Sequence, residues 1–147
     1  ITMHPITITM HTITIPGGSF TAPNNTSHYY SNGDYIRSHT TGTMFFTAPV
    51  DLVGGTATIH SVSLHYRDNG PGQICAYLKR THLKGGTTKT LSTQCTRNAS
   101  ADIRKRTDVT IKPDTVPVDD AVYLWISMSE GVDYRFYGIT IVYSSSP

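Results

Sequence analysis

The sequence predicts an all-β chain: an antiparallel β-sandwich of jelly-roll type with an extended N-terminal arm. Three observations carry this. Threonine and tyrosine are abundant, with 23 and nine copies in 147 residues, and Glu130 is the only glutamate. No segment carries apolar residues at three- and four-residue spacing for even three turns, so almost no helix is expected. Roughly eight or nine short period-two stretches, punctuated by Gly and Pro, read as strands of a sandwich. A chain of 147 residues suits one domain.

The stretch Ile1 to Ile15, ITMHPITITMHTITI, is the first element. At about 3.3 Å per residue it would reach about 50 Å, more than twice the usual strand. It also changes phase, because Ile6, Ile8 and Met10 are even-numbered while Ile13 and Ile15 are odd. We therefore expect two pieces meeting near His11 and Thr12, with residues 1–12 forming an arm and residues 13–147 the sandwich domain.

Pro16-Gly17-Gly18 ends the first strand, and Ser19 to Asn32 reads as a long loop. Strands are expected at Asp34–His39 and Thr43–Val50, the latter at a sheet edge because Pro49 lacks a ladder donor. Gly54-Gly55 leads into Ala57–Tyr66, which ends at the turn Arg67-Asp68-Asn69-Gly70-Pro71-Gly72. Ile74–Thr81 and Lys89–Thr96 form a hairpin around Lys84-Gly85-Gly86, and Ile103–Ile111 is an exposed, charged strand. After the crossover Pro113–Asp120 come the two most apolar strands: Ala121–Met128, and Tyr134–Tyr143 with Ile139, Ile141 and Tyr143 aligned.

Cys75 and Cys95 lie in the consecutive hairpin strands, and a disulfide between them would close a loop of about twenty residues, worth roughly 3 kcal/mol. Cys75 is out of phase with Ile74, Ala76 and Leu78, so the bridge should face outward. An immunoglobulin-like sandwich is the alternative fold, but Trp125 follows both cysteines rather than lying between them. The Thr-, Ser- and Tyr-rich composition with few acids suits secretion. We read Ile1 as a processed N-terminus from which an export signal has been removed, and expect an extracellular or cell-surface location. A net charge of +2 with dispersed basic residues, densest at Arg97, Arg104, Lys105 and Arg106, argues against a nucleic-acid partner. No apolar run reaches transmembrane length.

From Thr14 onward the stretches TITIPGGSFTAP, FFTAPVDLVGGTATIHSVSLHYRDN, ICAYLKR and AVYLWISMSEGVDYRFYGITIVY follow one another. In that order they resemble secreted bacterial β-sandwich domains over about nine-tenths of the chain. The resemblance implies the fold and export, not an activity. In overall plan the chain is also similar to pilins and other donor-strand-complemented fibre subunits, in which an N-terminal extension of alternating apolar residues precedes a small β-sandwich. Residues 1–12 lie outside the matching stretches.

No chemical signature stands out. His60 and His65 are five apart and on a regular strand would face opposite ways, and His4 and His11 also differ in parity. No His-x-His or Cys-x-x-Cys motif occurs, so no metal site or cofactor is expected. There is no Gly-x-Ser-x-Gly elbow. Asp119-Asp120 read as turn residues rather than a glycosidase pair. Asp68-Asn69-Gly70 fits a tight turn as well as a calcium loop. No catalytic residues are assigned, and an enzyme is not expected. Asn24, Asn25 and Asn98 head short glycosylation sequons.

Two functions remain. The first is a non-enzymatic extracellular structural protein, a homopolymeric filament subunit whose arm inserts head to tail into the next copy. Its interface would be Ile1, Met3, Ile6, Ile8, Met10 and Ile13. Pro5 removes one ladder donor from that arm. The alternative is a secreted carbohydrate-binding or adhesion module. Its sugar-stacking platform would draw on Tyr29, Tyr30, Tyr35 and Tyr137 and centre on Tyr123, Trp125, Tyr134 and Phe136. Tyr123 and Trp125 share a face opposite Val122 and Leu124. The competing explanation for these rings is packing beneath the Ser19–Asn32 loop.

Overall fold

A computed structural model of the chain describes residues 8–22, 29–38, 43–97, 99–112, 114–129 and 133–146. Among them the strands are β1 (Thr9–Pro16), β2 (Tyr29–Ser31), β3 (Ile36–Ser38), β4 (Met44–Val50), β5 (Thr56–Asp68), β6 (Ile74–His82), β7 (Thr87–Cys95), β8 (Arg104–Asp108), β9 (Thr115–Val116), β10 (Asp120–Met128) and β11 (Tyr134–Ser146). The only helical piece among these residues is a 3-10 turn at Gly17–Ser19. β2 and β9 fall where loops were expected. Each has three residues or fewer, too few for a period-two pattern to register.

The strands form two antiparallel sheets. One runs β2-β3-β11-β5-β8, with β1 also paired to β11 and β9 to β5; the other runs β4-β10-β6-β7. Packed face to face they make a β-sandwich of jelly-roll type. Phe46, Leu78, Leu124, Ile126 and Met128 of the four-stranded sheet are buried with Leu64, Phe136, Ile139, Ile141 and Tyr143 of the seven-stranded one. Phe20, just after the 3-10 turn, lies edge-on to Phe136 with ring centroids 4.7 Å apart. Thr21 then bridges to Thr47 on the outer edge of β4, the strand that Pro49 marked as an edge.

Three β-bulges interrupt the ladders, one at Leu91 of β7 opposite Leu78–Lys79 and two in the seven-stranded sheet, where they set which side chains face out. On β11 an extra residue, Tyr137, separates the pairs Phe136–Tyr66 and Gly138–His65. On β5 the extra residue is His60, between the partners of Val142 and Tyr143. A bulge inserts one residue and reverses the alternation beyond it. Thus β11 buries Tyr134 and Phe136 before its bulge, and Ile139, Ile141 and Tyr143 after it. Gly138 follows the bulge at φ +148, where a Cβ would stand 2.5 Å from the Ile15 carbonyl oxygen, so β1 can lie close only against glycine.

The N-terminal strand differs from expectation. β1 runs without a break at His11–Thr12 and pairs with β11 from Thr9–Ser145 to Pro16–Gly138. The expected division between residues 12 and 13 falls inside this strand. The phase change in the sequence is resolved by exposure instead. Ile13 and Ile15 pack against the core, while Ile8 and Met10 point to solvent, 63% and 58% exposed.

Cys75 and Cys95 are cross-strand partners joined by a disulfide, with Cα atoms 4.1 Å apart. Cys75 belongs by register to the outer face, as its phase predicted, yet it is 3% exposed. The turn after β5 is held by polar contacts. Asp68 Oδ1 accepts from the Gly70 amide, Asp68 Oδ2 accepts from the Thr96 hydroxyl, and the Tyr134 hydroxyl accepts from the Gly72 amide. The Asp68 carboxylate therefore serves the turn.

Candidate functional site

The alternation of β10 sends Val122, Leu124, Ile126 and Met128 into the core and Tyr123, Trp125 and Ser127 outward. Register then determines their neighbours. Trp125 is opposite Tyr77 on β6 and Thr47 on β4, while Tyr123 is opposite Lys79 and Pro49. Phe45, one pleat along β4, meets Trp125 edge-on at 5.5 Å and is itself 42% exposed. Lys79 reaches across with its Nζ 5.0 Å from the Trp125 ring centroid and 5.7 Å from that of Tyr77. The outer face of the four-stranded sheet thus carries Phe45, Trp125, Tyr77 and Tyr123 with the Lys79 ammonium lying over the central rings. Such an exposed cation–π contact is worth about 0.5–1 kcal/mol, so displacing the ammonium costs little.

Of the residues expected on this platform, the structure brings Tyr123 and Trp125 together and places Tyr134 and Phe136 elsewhere. Those two are buried core residues of β11 in the other sheet, 4% and 0% exposed. The reason is the bulge at Tyr137: continuing the phase of Ile139, Ile141 and Tyr143 backwards assigns them to the outside. Phe45 and Tyr77 take their places. Both were detectable by parity, since Phe45 alternates with the core residue Phe46 and Tyr77 with Ala76 and Leu78. Tyr29 packs edge-on against buried Phe46 at 5.3 Å. Tyr30, Tyr35 and Tyr137 lie together on the outer face of the seven-stranded sheet.

The described histidines, His11, His60, His65 and His82, are hydrogen-bonded to hydroxyls and a carboxylate. His11 bonds Ser145 Oγ at 2.8 Å and stacks on Tyr143, His60 bonds Ser144 Oγ at 2.8 Å, and His65 bonds Thr140 Oγ1 at 3.0 Å. Because the bulge falls at His60, that residue shares the outer face with His65, against the expectation for a regular strand. Burial, and then the positive charge of Lys105, holds the His65 pKa below its ordinary value. His82 bonds Asp120 at 2.8 Å, and Arg80 approaches the same carboxylate at 3.4 Å. Among the described residues no three His, Cys, Asp or Glu side chains converge as a metal site. No helix among them is long and apolar enough to cross a membrane.

A cleft of about 330 Å³ opens at one end of the sandwich, lined by Pro49–Leu52, Gly55, Ala57, Val116–Val118 and Asp120–Val122. Its carboxylates are Asp51 and the already paired Asp120. Of the interface residues expected in the arm, Ile8 and Met10 are exposed and Ile13 packs inward, while Ile1, Met3 and Ile6 lie outside the described residues.

No protein-family model matches the sequence, and no curated protein does. Solved structures do. The C-terminal CBM6 of LamC, a marine laminarinase from Zobellia galactanivorans, aligns with a TM-score of 0.53 at 16% identity, covering 89% of this chain and 98% of that one. The CBM36-1 domain of a multidomain xylanase from the hindgut metagenome of Trinervitermes trinervoides aligns at 0.51 and 11% identity, covering 93% and 98%. Infectious bursal disease virus Gx strain aligns at 0.50 and 15%, covering 95% of this chain and 32% of that one. At these identities the likeness establishes the jelly-roll β-sandwich and nothing finer.

Proposed function

We propose that the chain is a non-catalytic, extracellular carbohydrate-binding module whose ligand lies along the outer face of the four-stranded sheet. The observation that carries this is the cross-strand set Phe45, Trp125, Tyr77 and Tyr123, held outward on a rigid sheet. Aromatic rings on a sheet face receive the apolar faces of pyranose rings, and strands position such rings better than loops do. Lys79 supplies a donor for sugar hydroxyls once it swings off the rings. Two of the solved structures similar in fold are named as carbohydrate-binding modules. The disulfide suits an oxidising, extracellular setting.

A head-to-tail filament is not part of this proposal. Of its arm, residues 1–12, the described residues 9–12 are paired within the chain to β11, and residues 1–7 lie outside the described residues.

The test is binding to a panel of neutral polysaccharides by affinity electrophoresis, with Trp125→Ala beside the native chain. We expect retardation by at least one β-linked glucan, xylan or mannan, weakened about tenfold or more in Trp125→Ala, as losing a stacked aromatic anchor does. Absence of retardation across the panel, or equal retardation of the folded variant, refutes the assignment.

A further inference from the structure

The opposite surface of the sandwich carries a different arrangement. Ile36 on β3 pairs with Phe136, which sets Arg37 opposite Arg135, and Arg135 pairs in turn with Arg67 on β5. Three guanidiniums therefore stand side by side across three strands, and the neighbouring pair His65–Lys105 adds another cation on β8. Like charges placed directly opposite on a sheet are destabilising. Among the described residues no carboxylate pairs with Arg37, Arg67 or Arg135; the ion pairs found lie at Asp120.

Tyrosines hold the row in place. The Arg37 guanidinium lies 4.7 Å over the Tyr30 ring and that of Arg135 lies 4.6 Å over Tyr35. Tyr35 is packed between Tyr30 at 6.1 Å and Tyr137 at 5.4 Å, the latter carried outward by the β11 bulge. Arg67 Nε donates to the Ala101 carbonyl at 3.0 Å. The Nε atoms of Arg37 and Arg135 are buried and have no hydrogen-bond partner among the described residues. A guanidinium held over a ring still has its terminal N–H groups for a planar or tetrahedral anion.

We propose that this face binds an anionic polysaccharide, its carboxylate or sulfate groups received by Arg37, Arg135 and Arg67. With strands about 4.8 Å apart, the three arginines span about 10 Å, which fits acidic groups repeated along a chain better than one small anion. Tyr30 and Tyr35 each carry a guanidinium over the ring, where a single-strand nucleic-acid platform leaves its rings to the bases, so acidic groups rather than bases are the expected ligand. The surface is separate from the Trp125 face, so the two ligand assignments stand or fall independently.

The experiment is affinity electrophoresis of the whole chain through gels containing dextran sulfate, polygalacturonate, neutral dextran or poly(U). Arg135→Gln, Arg67→Gln and Trp125→Ala are run alongside, with folding checked by circular dichroism. We expect retardation by at least one acidic polysaccharide and not by dextran. It should weaken with added salt, fall about tenfold in Arg135→Gln and in Arg67→Gln, and be unchanged in Trp125→Ala. If Arg135→Gln does not fold, Arg67→Gln decides, because its guanidinium touches a loop carbonyl rather than the tyrosine stack. No retardation by either acidic polymer, equal or stronger retardation by poly(U), or folded arginine variants that behave as the native chain would each overturn the proposal.

Discussion

His65 shows how one side chain reports the electrostatics of a whole face. Its ring is partly buried, bonds Thr140 and stands opposite Lys105, so charging it is disfavoured in the native state. In the unfolded chain it takes up a proton near pH 6.5. The unfolded state therefore binds more protons than the native one as pH falls through that value, and stability drops with it. The loss begins near the ordinary value and levels off only below the lowered native pKa. His65→Gln removes this component. Urea midpoints measured from pH 8 to pH 5 should then show the native chain's advantage over His65→Gln shrinking as pH falls. A gap that widens on acidification contradicts the assignment.

At the scale of elements, β1 and β11 separate what could be read in the sequence from what could not. Period-two alternation located the long strands to within three residues at each end, because their buried faces are apolar and their outward faces polar. Bulges escape this reading, since the inserted residue has no chemical signature of its own. Tyr137 is such a residue. It reversed the assignment of Tyr134 and Phe136 and concealed that Arg135 and Tyr137 face out beside Arg37. The pairing of β1 was likewise not legible, because an alternating Ile/Thr strand satisfies its own sheet edge or another copy's equally well. The observed register makes a differential prediction. Ile8→Asp, at a solvent-facing position, should leave stability and native mass unchanged. Ile15→Ala, packed against the core, should cost about 1–3 kcal/mol, somewhat less than a fully buried site. Urea unfolding with light scattering separates the two, and a change of mass in Ile8→Asp alone would restore the arm as an assembly element.

At the scale of the molecule, the two sheets present unlike outer faces over one shared core: an aromatic face with one lysine, and a face of stacked arginines. The four-stranded sheet that carries the aromatic face is clamped near one end by the β6–β7 disulfide. Closing a loop of 20 residues restricts the unfolded chain by about 3 kcal/mol. For a domain of this size that corresponds to roughly 6–12 °C in Tm. Thermal unfolding with and without reductant should show that shift. Because the bridge acts mainly on the unfolded ensemble, the reduced but still folded chain should keep its native near-ultraviolet dichroism and its Trp125 fluorescence below the transition. A reduced chain that loses these signals well below its Tm would mean instead that the bridge positions β6, and with it Tyr77 and Lys79, in the folded state.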